Sequence, residues 1–264
     1  MRNQIKSLTL NYYLLRIILI GLITFSWCLP AMATSISDRL KQFPQWQGKP
    51  DVQRATGDLE YPQWMAGTWN VESTLVEQIA PLAPNLVTPG FSSNAKYLDQ
   101  AIAFEVRFGS QYYSSPTGIL AKWRSSEPKV VADRAFNGER IAIAYLGADQ
   151  VAKVKVDPQN PNLQITLLRG ERQLISKITG RATEKPHPQQ FITTEVTQQF
   201  FKSPERIYLN EVETTANYEL LNSDKITAQQ ITAIYLSPQD PDYFKAENRP
   251  VALYRYHLDL TKAN

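Results

Sequence analysis

Cysteine is almost missing from this chain: Cys28 is the only one, and it falls within the leader described below. The remainder can form no disulfide, thiol nucleophile or thiolate metal site. Histidine is nearly as scarce. His187 and His257 lie far apart with no HExxH spacing, so the residues call for no metal. The Asp-rich segment 238–243 lacks the spacing and the glycine of a calcium loop. The GxSxG, P-loop and GxGxxG patterns are also missing, so no catalytic residue and no cofactor is predicted. A surplus of positive charge is missing too, once the leader is set aside. The chain holds 28 Lys and Arg against 25 Asp and Glu, and residues 1–33 contain three of the basic residues and no acidic one. What is left carries 25 of each sign, too balanced for the basic footprint that nucleic acid requires.

What is present begins with an address. Arg2, Lys6 and Arg16 precede an apolar run over residues 17–29, then Pro30 and the small-residue pattern Ala31-Met32-Ala33. This reads as a signal peptide, with signal peptidase predicted to cut after Ala33. The run is shorter than the ~20 residues of a spanning helix. Bulky Trp27 before Cys28 argues against lipid attachment, and the lack of a twin arginine implies passage unfolded. The exported part, 231 residues long (264 less 33), can bury roughly 70% of its unfolded surface without staples.

Residues 34–60 read as an N-terminal arm. A short helix is predicted over residues 36–43, capped by Ser35 or Ser37. A Pro-, Gly- and Gln-rich stretch follows, whose Trp46, Tyr61 and Trp64 are too apolar for a free tail. From residue 61 to 264 strand signals recur. Trp69, Val71, Ser73 and Leu75 alternate with Thr68, Asn70, Glu72 and Thr74 at period two. Similar runs start near residues 101, 118, 140, 151, 162, 172, 191, 206, 225 and 250. Short turns at residues 147–150, 157–161, 169–172 and 185–188 separate several of them. The three prolines of residues 80–94 mark a loop, long enough for a lid. Together these predict an all-β domain: one antiparallel β-barrel of about ten strands, with a β-sandwich as the alternative.

Two resemblances add to this reading. Gly67-Thr68-Trp69 at the start of the first strand resembles the calycin superfamily of lipocalins and fatty-acid-binding proteins. The resemblance implies that Trp69 caps one barrel end beneath a late arginine, Arg255 or Arg249. Segments 130–147, 156–162, 235–244 and 249–260 resemble a cyanobacterial and chloroplast family carrying a domain of unknown function. That similarity covers nearly the whole exported part and implies a photosynthetic source and a thylakoid-lumen or periplasmic address. It brings no catalytic residue.

Candidate binding residues follow from the barrel reading. Trp69, Phe104, Phe108, Trp123, Tyr145 and Tyr235 are candidate lining, with Arg134 and Arg255 meeting an acidic group. Gly67 and Trp69 form the structural corner. Asp133, Arg134, Asn137 and Gly138 allow either an anion-gripping corner or an Asp133 cap or salt bridge with a type I′ turn at Asn137-Gly138. Tyr254 and Tyr256 share a strand face and are expected in the core. Glu105 with Arg107, Glu195 with Gln199, and Glu211 with Glu213 share faces expected to be solvated, because such charges are rarely buried. Three functions remain open: an exported non-enzymatic barrel holding a hydrophobic small molecule such as a lipid, pigment or quinone; an accessory factor for a photosynthetic membrane complex, acting through loops 80–94 and 238–249; and a cofactor-free enzyme using inward carboxylates.

Overall fold

The computed structural model describes residues 35–111 and 128–263, and the expected leader, the strand expected near residue 118 and Trp123 lie outside them. Ten strands form one antiparallel sheet, curled into a half-barrel. Across the sheet the order is β4 (Lys129–Ala132), β3 (Ala101–Gln111), β2 (Gly67–Ile79), β11 (Ala252–Lys262), β10 (Lys225–Leu236), β9 (Ile207–Asn222), β8 (Gln190–Lys202), β7 (Arg172–Glu184), β6 (Asn160–Leu168) and β5 (Val151–Asp157). From β5 to β11 every strand pairs with the next in sequence, as the short turns require. The all-β expectation holds, and one sheet rather than two sandwiched sheets encloses the interior. A two-residue β1 (Gln53–Arg54) pairs with β7 at Arg181 and Gly180, just past Lys177, where the pairing of β7 with the start of β6 stops. Gly180 makes that pairing possible, because a Cβ there would overlap the Val52 side chain.

The short helices are α1 (Ile36–Lys41) and α2 (Phe91–Asn94), and the long one is α3 (Arg134–Leu146). The third helix corrects the sequence reading, which expected a strand near residue 140 and a type I′ turn at Asn137-Gly138. The run RIAIAYL alternates well enough for a strand, but Ile141, Ala142 and Tyr145 also lie on one helical face. Asp133 decides the matter locally. Its carboxylate accepts the Phe136 N–H at 3.1 Å as an N-cap, and Gly147 ends the helix at φ 93°. Tertiary structure decides the rest. β4 pairs only with residues 108–111 of β3, and beyond it the Arg107 carbonyl accepts the Asp133 N–H at 2.9 Å while the Arg107 N–H has no strand partner on that edge. Asn137 takes the place of a strand there: its Oδ1 accepts the Arg107 N–H at 2.6 Å, and its Nδ2 donates to the Arg107 carbonyl at 3.1 Å. On its other side α3 packs against β5 and β6. The helix thus fills the gap between the two sheet edges, which would otherwise invite pairing with another chain.

Over β8–β10 the outer face of the sheet is covered as well, beneath the N-terminal arm. Ser35 caps α1 by accepting the Asp38 N–H at 3.1 Å, and Glu184 on β7 accepts the Ile36 and Ser37 N–H groups at 2.5 and 3.2 Å. Trp46 packs against Ile231, Ala233, Tyr235 and Leu253. The solvated face expected for Glu211 and Glu213 is corrected at this point, because Glu213 is fully buried. Its carboxylate accepts Arg39 Nε at 2.5 Å and Nη2 at 2.6 Å, Trp46 Nε1 at 3.0 Å, Tyr235 Oη at 2.8 Å and Thr215 Oγ1 at 3.0 Å. Burial works against the Arg39 charge, but Glu213 outweighs it and holds the guanidinium pKa above its ordinary value. Beyond β1 the arm turns beneath the end where β2 begins. There Tyr61, Trp64 and Met65 pack with Trp69, Val106, Phe108, Phe191 and Leu260. That end is closed.

Candidate functional site

The inner face of the curled sheet surrounds a cavity with two chambers. The smaller, about 400 Å³, is bounded by Val71, Leu75, Phe104 and Val106 from β2 and β3 and by Leu258 and Leu260 from β11. The larger, about 1370 Å³, extends along β6–β9 to the end opposite the Trp69 plug. Phe108, Ile141, Tyr145, Tyr218 and Gln230 line both, so the chambers meet along α3 and the middle of the sheet. The open end is framed by Thr88, Pro89 and Gly90 of the long loop and by the hairpin turns near residues 170 and 204. Ligand pockets commonly enclose ~300–1,000 Å³, so the space is ample for a small molecule.

The two walls differ in chemistry. β2, β3 and β11 present aliphatic and aromatic groups, as their odd or even alternation predicts. β8 and β9 do the opposite. Glu195, Thr197 and Gln199 point into the cavity, while Ile192, Thr194 and Val196 are buried on the outer face. The assumption that apolar residues face the interior fails on β8 because the arm makes a second buried layer outside. This reverses the expectation that the Glu195 face is solvated.

At the closed end the charged side chains pair with one another. Arg134, from the start of α3, donates through Nε to Asp58 Oδ1 and through Nη2 to Glu195 Oε1, both at 3.2 Å. Arg181 on β7 lies directly opposite Glu195 in the strand register and donates to the same oxygen through Nε at 2.8 Å. Its Nη2 reaches Asn162 Oδ1 at 2.8 Å. Burial disfavours the Arg134 charge, but Glu195, Tyr61 and Asp58 outweigh it, and the pKa is raised. Burial, with the Glu195 charge, pushes Tyr218 up to about 12. Burial likewise raises Tyr61, with Tyr218 and Glu195 adding to the shift. Two guanidinium groups and two carboxylates neutralise one another, and Glu195 Oε1 is occupied by both arginines. The cluster therefore fixes α3, β7, β8 and the arm to each other, and carries no excess charge into the cavity.

Four sequence candidates do meet in the interior: Phe104, Phe108, Arg134 and Tyr145. Tyr145 Oη lies 3.4 Å from Ser73 Oγ, and its ring meets Tyr97 edge-on. Trp69 lies below them as a plug, wholly buried, donating Nε1–H to the Met65 carbonyl at 2.9 Å. Gly67 at φ 122° starts the strand beside it. The late cation over Trp69 is Lys262, 5.8 Å from the ring centroid, in place of the expected arginine. Arg255 is on the outer face, 2.6 Å from Glu77 Oε2 and over the Phe43 ring, and Arg249 sits beside Glu247 in a loop. Tyr235 is also on the outer face, in the Glu213 network. Both are removed from the lining set. Asp133 caps α3 and pairs with Arg107 at 2.5 Å, with the Arg107 guanidinium stacked on Phe136; Asn137 saturates the β3 edge, so neither forms an anion corner. Gly138 lets α3 approach β6, where a Cβ would lie 2.7 Å from the Gln164 amide nitrogen. The tyrosines expected in the core, Tyr254 and Tyr256, face the cavity, with Asn94 Nδ2 donating to Tyr254 Oη at 3.2 Å.

Sequence reasoning missed Tyr218, Asn210 and Arg181, and placed Glu195 and Gln199 on a solvated face. The signal was present in the parity of β8 and β9, but assigning it required knowing which face the arm covers.

These features define a class: all-β half-barrels whose open side is bridged by a helix and whose interior is large enough for a ligand. The chain belongs to the family described as Domain of unknown function (DUF6816), which matches residues 53–264, from β1 to the C-terminus. No curated protein and no solved structure matches it.

Proposed function

We propose that this protein is an exported, non-enzymatic carrier that holds an amphiphilic small molecule inside the half-barrel. The observation that carries the reading is the interior itself, a chamber of about 1370 Å³ with polar side chains along β6–β9, joined to a smaller one of about 400 Å³ lined by the aliphatic and aromatic groups of β2, β3 and β11. An apolar chain in the smaller chamber would gain roughly 0.8 kcal/mol for each buried methylene. Its polar end would meet the hydroxyls and amides of β6–β9. The charged cluster at the closed end supports a binding role over a catalytic one, because Glu195 is occupied by two arginines. The basic and then apolar leader, and the resemblance to a family of photosynthetic organisms, support export to a periplasm or thylakoid lumen.

The test is titration of the full chain with a twelve-carbon amphiphile below its micellar concentration, alongside Ile141→Trp. Ile141 borders both chambers and is 39% exposed, so the larger ring can be accepted by the fold while it blocks the junction. Saturable one-to-one binding by the natural chain, lost in Ile141→Trp, is the expected result. Failure of the natural chain to bind, or unchanged binding by the variant, would refute the proposal.

A further inference from the structure

We infer that the interior selects an amphiphile with a neutral, polyhydroxylated head group, of the glycosyl type, because below the rim the wall of β6–β9 offers unpaired amides and hydroxyls while the deep charges beside it are paired with one another. The inference rests on the amphiphile reading above and narrows it. Gln164, Ser176, Thr197, Gln199, Asn210 and Thr214 all line the larger chamber. None of these six side chains hydrogen-bonds to another group of the protein among the described residues. Asn210 is the most telling. It is only 7% exposed, yet its Oδ1 has no partner. A buried polar group left in that state costs about 1–3 kcal/mol, so a ligand that pairs it recovers that amount.

The kind of group follows from the donor and acceptor inventory. Each of the six carries both donor and acceptor capacity. A hydroxyl-rich head group has the same dual character and can satisfy many of them at once. A bare hydrocarbon would desolvate them without return. An ionised head group would need an unpaired counter-charge, and the deep cations Arg134 and Arg181 are already held by Asp58 and Glu195. Arg172, Lys202 and Arg206 do border the chamber, but at its open rim and together with Glu205. Aromatic rings complete the fit. Tyr145, Tyr218 and Tyr254 line the same space, offering an apolar face and a polar tip. The apolar tail would lie against Val71, Leu75, Phe104 and Leu258.

The experiment compares dodecyl maltoside, dodecanoate, dodecylphosphocholine and maltose by calorimetric titration of the full chain, each below its micellar concentration. The maltoside is expected to bind roughly tenfold or more tightly than either charged twelve-carbon ligand, as sites built on hydrogen bonds discriminate. Thr197→Val and Gln199→Leu, both on β8, should narrow that preference and leave dodecanoate affinity unchanged. A folded Thr197→Val protein, nearly isosteric with the natural one, suffices if the bulkier change disturbs the strand. Equal affinity for the three twelve-carbon ligands overturns the head-group inference while the amphiphile reading stands. Tightest binding of dodecanoate overturns it too, and assigns the head group to the rim cations. Maltose binding as tightly as dodecyl maltoside supports the sugar chemistry and overturns the amphiphile reading. Binding of none of the four overturns both.

Discussion

Replacing Arg39 by Met tests how the arm is held to the sheet. Glu213 has no exposed surface and Arg39 only 7%, and the two meet through bonds of 2.5 and 2.6 Å. Removing the cation leaves a buried carboxylate without its counter-charge, a change that typically costs about 3–5 kcal/mol. Glu213 keeps three donors, from Trp46, Tyr235 and Thr215, which places the loss at the lower end of that range. Urea unfolding monitored by circular dichroism measures it, and limited proteolysis within residues 35–52 reports whether the arm detaches. The double variant Arg39→Met/Glu213→Gln replaces the stranded charge with a neutral amide that still accepts from Trp46. It should recover about 2 kcal/mol relative to the single variant, a coupling of the size seen for residues in one network. A loss below about 1 kcal/mol for Arg39→Met, or a double variant no better than the single, would refute the reasoning.

Two other predictions test different parts of the fold. Asn137→Ala should cost about 1–3 kcal/mol, because it strips the acceptor from the Arg107 N–H at the β3 edge; faster hydrogen exchange at that amide would locate the effect. Asn137→Asp, which keeps an acceptor there but loses the donor, should fall between the two. In alkali, burial raises Tyr218 to about 12 and raises Tyr61 and Tyr256 as well, so the stability these phenols contribute is complete below pH ~10 and is lost as pH climbs through the folded values. Tyrosinate absorbance should rise together with unfolding, and Tyr218→Phe should lessen the loss.

Much of the strand layout was legible because period-two alternation and turn residues are local signals. The runs starting near residues 68, 101, 151, 162, 172, 191, 206, 225 and 250 all became strands, and Ser35 became the cap of α1. The long loop near residue 88 reached the mouth of the cavity for the same reason: its prolines keep it out of the sheet. The segment 134–146 was ambiguous, since Ile141, Ala142 and Tyr145 satisfy both periods over so short a span. Its fate was set by an edge at Arg107 that exists only in the assembled sheet.

The candidate site divides along the same line. Phe104, Phe108 and Tyr145 could be named from sequence because the simple rule of apolar side inward holds on β3 and on one face of α3. Tyr235, Arg255 and Glu195 could not be placed correctly by that rule. Tyr235 and Glu195 sit on strands buried on both faces, and Arg255 on a strand whose start is, so parity alone does not say which side is the cavity. The amino-acid sequence by itself determined an all-β chain, the positions of most strands and, beyond Cys28, a lack of thiols and metal motifs. Tertiary structure alone decided the inside from the outside, because the arm, pinned through Arg39 to Glu213, turns the outer face of β8–β10 into a second core and leaves polar groups to line the first.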